Sequence, residues 1–231
     1  MREVTKPRVL LSLTVGALVV GVLVAPVARA APAAGAGSGA LHTLVSGLPV
    51  AAENRTGYDR SLFKLWIDAD SNGCDTREEV LIAESTTTPS TGSGCAVTGT
   101  WFSYYDEQTW TAPGDVDIDH VVPLAEVWDS GGSGWTAKER QNYANDLTDD
   151  RTLVAVTDNV NQSKGDQDRG PEEEGPWMPS APSATCEYVD TWVAVKSRWS
   201  LKVDSAEKST LTSLAAGCPN VTISWAAPAT T

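Results

Sequence analysis

The chain has 231 residues, with 17 Lys and Arg against 30 Asp and Glu, and a formal net charge of −13. Proteins that hold nucleic acid by neutralising its phosphates are usually basic, so this composition excludes an electrostatic clamp for DNA or RNA. Any action on nucleic acid must instead depend on a local site, bound divalent cations or transient contacts. Two histidines are too few for a histidine-rich zinc hydrolase.

The first thirty residues have the pattern of a secretory signal peptide. Three basic residues precede an apolar run over residues 9–27, and small residues surround an expected cleavage site after Ala30. An uncleaved membrane anchor is the alternative, because the run is long enough to span a bilayer. Since the signal holds four basic residues and one acidic residue, cleavage leaves 13 basic and 29 acidic residues, a net charge of −16. We expect a secreted, extracellular protein with no stable membrane association after cleavage.

The remaining chain is expected to form one domain. Residues 31–50 are rich in Ala, Gly and Ser and are interpreted as a flexible leader. Residues 51–220 are interpreted as the domain and residues 221–231 as a short tail. The sequence does not indicate an oligomeric state.

Four cysteines in an exported chain indicate disulfide bonds. Three pairings are possible. The nearest-neighbour pairing, Cys74 with Cys95 and Cys186 with Cys218, closes two moderate loops and is favoured. A zinc site built from all four is the alternative, but no close Cys-x-x-Cys spacing is present.

Hydrophobic periodicity and turn residues predict an α+β protein. In the first half of the domain they predict a short amphipathic segment at 58–66, a turn at 68–73, a helix at 77–83, a loop at 85–94, and a strand at 97–105 with a return strand from 109. In the second half they predict helices at 124–128 and 137–143, a strand at 153–156, a helix beginning at 158–164, a surface loop at 170–183 and a helix at 186–199. A last helix is predicted from a capping box at 204 to a stop at 217.

One histidine lies inside the predicted domain, in the stretch Asp117-Ile118-Asp119-His120-Val121-Val122-Pro123, which is expected to end a strand. The other, His42, lies in the leader. Adjacent Asp and His residues at a strand end can place a metal-binding carboxylate and a general base on opposite sides of one backbone position. This arrangement is typical of metal-dependent phosphodiesterases. The alternative is a strand that ends in a polar turn with a hydrogen-bonded histidine.

Four motifs in order resemble the ββα-metal fold of HNH endonucleases. They are Asp-x-Asp-His-x-Val-Pro-Leu at 117–124, Ala-Asn-Asp at 144–146, Leu-Val-Ala-Val at 153–156 and Asn-x-Ser-Lys-Gly-Asp at 161–166. More closely, the chain resembles the HNH domain at the C-terminus of GmrSD-type restriction endonucleases, which also occurs in secreted form. The resemblance covers about residues 56–218.

This resemblance implies a disulfide-stabilised α+β fold, in which a ββα-metal (HNH) core carries added helices and a β-hairpin. It implies a secreted, metal-dependent HNH endonuclease that hydrolyses phosphodiester bonds of DNA, with RNA left open as a substrate. No helix-turn-helix, zinc finger or basic recognition helix is visible in the sequence, so we expect cleavage without sequence specificity.

The resemblance also implies roles for single residues. His120 would be the general base, and Asp119 and Asn161 would hold one divalent cation, Mg²⁺ or Mn²⁺. Arg77 and Lys164 are candidates for phosphate contact or, equally, for ion pairs with carboxylates. One position departs from the family pattern, because Thr152 stands where many HNH sequences carry an asparagine that orients the histidine.

A second metal site is suggested by a turn that matches the calcium loop Asp-x-Asp-x-Asn-Gly-x5-Glu. Its ligands would be Asp68, Asp70, Asn72 and Glu79, although the flanking segments do not form two clear amphipathic helices. With the acidic charge and Thr152, this loop supports a rival hypothesis. The chain would then be a secreted calcium-binding or interaction module on the same fold, with weak or no catalytic activity.

Overall fold

A computed structural model describes residue 1, residues 35–165 and residues 177–229. The predicted signal peptide beyond Met1 and much of the predicted surface loop at 170–183 lie outside the described residues. Within the described part, no helix is both long enough and apolar enough to cross a membrane.

The described chain has a mixed α+β architecture with small antiparallel sheets. Its strands are β1 (Gly37–Ala40), β2 (Ser90–Thr91), β3 (Val97–Thr98), β4 (Trp101–Ser103), β5 (Gln108–Trp110), β6 (Val116–His120), β7 (Leu153–Thr157) and β8 (Thr222–Trp225). Its helices are α1 (Leu41–Gly47), α2 (Thr76–Ala83), α3 (Leu124–Asp129), α4 (Ala137–Ala144), α5 (Asp158–Lys164), α6 (Thr185–Arg198) and α7 (Ser205–Ala216).

The centre of the fold is a strand, a strand and a helix. Strands β6 and β7 pair antiparallel, with Val116 opposite Thr157 and His120 opposite Leu153, and α5 follows β7 directly. Every residue of β7 is buried. Alternate β7 side chains enter two different hydrophobic clusters, because both faces of this small sheet are covered. This explains why β7 is a continuous apolar run rather than an alternating pattern.

The two hydrophobic clusters lie on opposite sides of the β6–β7 pair. The smaller cluster includes Val80 and Leu81 of α2 together with Trp101 of β4. The larger cluster includes residues of α1, α3, α4, α6 and α7. Trp192 and Trp199 are buried in the larger cluster, as expected for core residues.

Two disulfide bonds are present, and they confirm the favoured pairing. Cys74 is bonded to Cys95, and Cys186 is bonded to Cys218. The first bond joins the segment before α2 to the segment before β3. The second joins the start of α6 to the chain just after α7, so each bond holds neighbouring elements of one cluster together.

The chain ends differ from the predicted leader and tail, because residues 37–47 and 222–225 are part of the fold. Strand β1 pairs antiparallel with β8, and α1 buries Leu41 and Val45 in the larger cluster. The glycines of β1 allow a close approach: a Cβ at Gly37 would lie 2.7 Å from the Trp225 ring. The glycine that gives this segment the composition of a mobile leader is therefore the residue that lets β1 pack against Trp225 of β8.

Three further local predictions are met only in part by the structure. The single strand predicted at 97–105 is divided into β3, which pairs with β2, and β4, which pairs with β5. The segment predicted to be amphipathic at 58–66 buries Phe63 and contains one 3₁₀ turn, Arg60–Leu62. The predicted capping box at α7 is half formed. Asp204 accepts from the Glu207 N–H at 2.6 Å, but the Glu207 carboxylate pairs with the buried Lys196 of α6. The Glu207 carboxylate therefore forms the buried ion pair with Lys196 instead of completing the cap of α7.

Candidate active site

A cavity of about 220 Å³ lies at the end of β6. It is lined by three of the residues predicted to carry the chemistry, Asp119, His120 and Asn161, and also by Arg60. The two adjacent β6 residues reach the same cavity because the strand ends there, and Asn161 faces it from α5. The structure therefore brings together the predicted base and both predicted metal ligands.

Asp119 is a buried carboxylate with a nearly complete set of donors. The Tyr105 hydroxyl donates to Oδ2 at 2.6 Å. The Lys164 ammonium lies 2.9 Å from Oδ1 and 2.8 Å from Oδ2. Burial raises the pKa of Asp119, whereas the charge of Lys164 and the hydrogen bonds from Lys164 and Tyr105 lower it. Because a carboxylate has about four acceptor positions, these contacts leave room for a further ligand.

His120 is buried, and three neighbours position its ring. Nε2 lies 3.1 Å from the Ala144 carbonyl oxygen, and the rings of Trp66 and Tyr143 stack with the imidazole at centroid distances of 6.0 and 5.9 Å. A carbonyl can only accept, so this contact requires the proton on Nε2 and leaves the lone pair on Nδ1. Burial lowers the pKa of His120 to about 3, although the hydrogen bond to Ala144 opposes this shift.

Asn161 is oriented by a second aspartate of β6. Its Nδ2 donates to Asp117 Oδ2 at 3.3 Å. Asp117 and Asp119 are two residues apart in β6 and therefore lie on the same face of the strand. Donation from Nδ2 commits the amide group to one orientation and leaves its Oδ1 as a ligand. Asp117 belongs to the sequence motif, but the sequence alone does not indicate this orienting contact.

The two cations considered for phosphate contact have other partners. Lys164 is fully buried, and besides Asp119 its ammonium donates to the His120 carbonyl at 2.9 Å. The Arg77 guanidinium donates to the carbonyls of Pro113 and Val116, both at 2.8 Å. Val116 begins β6 and lies four positions before His120, which corresponds to roughly 13 Å along a strand. Arg77 is therefore not brought to the cavity, and Lys164 lies beneath it as an ion-pair partner.

Thr152 supports the site through its backbone rather than through its side chain. Its carbonyl accepts from the Val121 N–H at 3.2 Å, which extends the β6–β7 ladder past His120. Its hydroxyl donates to Asp146 Oδ2 at 2.9 Å, within a buried network that includes Arg198. The hydrogen bond that orients the His120 ring comes from Ala144 instead.

The calcium-like loop is a compact turn held by its own side chains. Asp68 accepts from the Asn72 and Gly73 N–H groups at 3.1 and 3.0 Å. Asn72 Nδ2 donates to Asp70 Oδ2 at 3.0 Å and to Glu79 Oε1 at 2.6 Å. Within the described residues, no group of three or more His, Cys, Asp and Glu side chains is arranged to hold a metal ion.

Four contributors to the site were missed by the sequence interpretation: Arg60, Trp66, Tyr105 and Tyr143. The sequence places Tyr143 in a predicted helix, Arg60 and Trp66 in the predicted segment at 58–66, and Tyr105 at the end of the predicted strand at 97–105. Arg60 precedes every motif that carries the resemblance. No local pattern marks these residues, because their place around Asp119 and His120 arises from the packing of distant segments.

The fold and the cavity define a disulfide-bonded α+β protein with an Asp-His pair at a strand end and an asparagine on the following helix. The model of the C-terminal domain of GmrSD restriction endonucleases matches residues 71–214, and the chain belongs to this family. Membership indicates a nuclease-like role and implies DNA as the substrate.

A relative from Arthroderma benhamiae is described as an uncharacterized secreted protein. It is 50% identical over 178 residues, which cover 77% of this chain and 84% of the relative. This relative confirms that the protein is a secreted one. No solved structure matches the chain.

Proposed function

We propose that the protein is a secreted, metal-dependent HNH endonuclease that hydrolyses phosphodiester bonds of DNA without sequence specificity. The observation that carries this proposal is the convergence of Asp119, His120 and Asn161 on one cavity. Family membership supports the nuclease class and the DNA substrate.

The residues present fit a hard divalent cation such as Mg²⁺ or Mn²⁺. Asp119 contributes a carboxylate with acceptor capacity left, and Asn161 contributes an amide oxygen whose orientation is set by Asp117. Such oxygen ligands suit these ions. When bound, the metal would stabilise the negative charge that develops on the phosphate and the leaving oxygen.

His120 would remove a proton from the attacking water through Nδ1. Its Nε2–H is held by the Ala144 carbonyl, and the stacked rings of Trp66 and Tyr143 prevent rotation away from the cavity. A positioned base of this kind contributes about 10²- to 10⁴-fold to a rate. Lys164 fixes Asp119 and His120 relative to each other, because its ammonium donates to the Asp119 carboxylate and to the His120 carbonyl.

The test is plasmid cleavage by the oxidised protein, recovered from the medium of an exporting host, with Mg²⁺, Mn²⁺, Ca²⁺ or EDTA. We expect metal-dependent nicking that falls at least about 10²-fold in His120→Ala. Several plasmids of unrelated sequence give the same pattern of random nicks if cleavage is not sequence-specific.

A different outcome of the same experiment would contradict the proposal. If the wild type and His120→Ala are equally inert with every metal, while Ca²⁺ raises the melting temperature, the enzyme proposal is overturned. The loop containing Asp68, Asp70, Asn72 and Glu79 would then be the place to test by substitution.

A further inference from the structure

We propose that Arg60 binds the scissile phosphate in the cavity. This inference rests on the proposed nuclease function and adds a substrate-binding residue to it. Of the residues that line the cavity in the described part of the chain, Arg60 is the cationic one. It shares the cavity with the groups expected to hold the metal and to activate water.

The backbone that carries Arg60 is well fixed. Asp59 caps the 3₁₀ turn by accepting from the Ser61 N–H at 2.8 Å, and the Phe63 N–H bonds to the Arg60 carbonyl at 3.1 Å. The Phe63 side chain is buried in the larger cluster. The turn is therefore anchored in the core, while Arg60 itself is exposed.

The other basic residues of the site region do not provide this charge. Lys164 is buried against Asp119, and its ammonium is directed to that carboxylate and to the His120 carbonyl. Arg77 bonds to backbone carbonyls at the far end of β6. Since Arg60 is exposed and Lys164 is buried, a phosphate that enters the cavity from solvent meets the Arg60 guanidinium first.

Electrostatics and geometry both favour an arginine at this position. A protein with a net charge of −13 repels DNA at long range, so a phosphate needs a local cation to stay in the cavity. A guanidinium can donate two parallel hydrogen bonds to a phosphate, which gives orientation as well as charge. A lysine in its place would keep the charge but lose the paired hydrogen bonds.

Arg60 lies ahead of the part of the chain that the family model matches, residues 71–214. The phosphate contact that we assign to it is therefore supplied by a segment outside the family-matched part, which lines the same cavity.

The experiment compares the full oxidised protein with Arg60→Ala, Arg60→Lys, His120→Ala and Lys138→Ala. Lys138 is exposed on α4 and does not line the cavity, so Lys138→Ala is the control for losing one positive charge. Two substrates are used with Mg²⁺ or Mn²⁺: plasmid DNA, and bis(p-nitrophenyl) phosphate, which has a single phosphodiester and no neighbouring phosphates. Circular dichroism and melting temperatures check that each variant is folded.

We expect Arg60→Ala to lower kcat/KM about 10- to 100-fold on both substrates, with Arg60→Lys intermediate and Lys138→Ala near wild type. In the inactive His120→Ala background, Arg60→Ala should reduce the salt dependence of DNA binding by about one phosphate contact.

A loss on plasmid alone would show that Arg60 holds a flanking phosphate and would overturn its assignment to the scissile one. Arg60→Ala activity equal to wild type, with His120→Ala inactive, would overturn this inference and leave the proposed function intact. A wild type that is as inert as His120→Ala on both substrates would overturn the proposed function itself, and this inference with it.

Discussion

The buried ion pair beneath the cavity gives a sharp test of how the site is built. Lys164 has no exposed side-chain area, and the Asp119 side chain is 6% exposed. Substitution Lys164→Met keeps the apolar stem but removes the ammonium that serves Asp119 and the His120 carbonyl. Breaking a buried pair by removing one partner costs about 3–5 kcal/mol, because the remaining charge stays buried without its counter-ion.

A second substitution separates the charge from the shape. When Lys164→Met is combined with Asp119→Asn, the buried charge is gone, and the new side-chain amide can still accept from the Tyr105 hydroxyl. The His120 carbonyl still lacks its donor, a loss of about 1–3 kcal/mol. We therefore expect the double variant to be about 2 kcal/mol more stable than Lys164→Met alone, although it carries one more substitution.

The same variants test the metal site without an activity assay. In Lys164→Met the Asp119 carboxylate has lost the cation that pairs with it, so a divalent metal should bind it more tightly than in the wild type. A ligand at 100 times its Kd stabilises a protein by about 2.7 kcal/mol. Mg²⁺ should therefore raise the stability of Lys164→Met more than that of the wild type, and it should have no such effect in the double variant.

The measurement is urea unfolding followed by tryptophan fluorescence, which the nine tryptophans make sensitive, in EDTA and in Mg²⁺. The reasoning fails if Lys164→Met lies within about 1 kcal/mol of the wild type, or if the double variant is no more stable than Lys164→Met. An equal Mg²⁺ effect in all three proteins would remove Asp119 from the metal site.

Three further outcomes are expected. Burial raises the pKa of Glu84 to about 7 from 4.5, so its contribution to stability is present below pH 4.5 and lost as the pH rises through about 7. As the pH rises across this range, the free energy of unfolding of Glu84→Gln, measured in urea, should increase by up to about 3 kcal/mol relative to that of the wild type. A difference between the two proteins that does not change with pH would contradict this. Trp66→Ala should lower kcat about 10-fold or more with little change in KM, because the His120 ring loses one stacked neighbour. An unchanged kcat would show that the stacking does not position the base. Replacing Cys74 and Cys95, which are 21 residues apart, by serine should lower the free energy of unfolding by about 3 kcal/mol, and a much smaller loss would mean that the unfolded loop is already constrained.

Local patterns predicted the elements that carry the site. The Asp119-His120 motif and the continuous apolar run of β7 are both visible in the sequence. Helix α5 begins near its predicted start, and α2 and α6 lie within one residue of prediction at each end. Periodicity and end signals depend on neighbouring residues alone, so a single sequence is enough to find them.

The disulfides show where local information stops. Loop length favoured Cys74–Cys95 and Cys186–Cys218 among three pairings, and only the structure decided between them. The ends of the chain show the same limit. Residues 37–40 have the composition of a mobile leader, yet they form a strand because β8 is available to pair with them. No local feature of either segment reveals its partner at the other end of the domain.

The sequence by itself indicated the family and its nuclease-like role, because an Asp-His pair and a later asparagine occur in the order of the family pattern. The tertiary structure alone decided what each group experiences. It buried Lys164 against Asp119, turned Arg77 to carbonyls at the other end of β6, and brought Arg60 to the cavity. The physical reason is that burial and charge pairing depend on which distant segments pack together, whereas residue order constrains only neighbours.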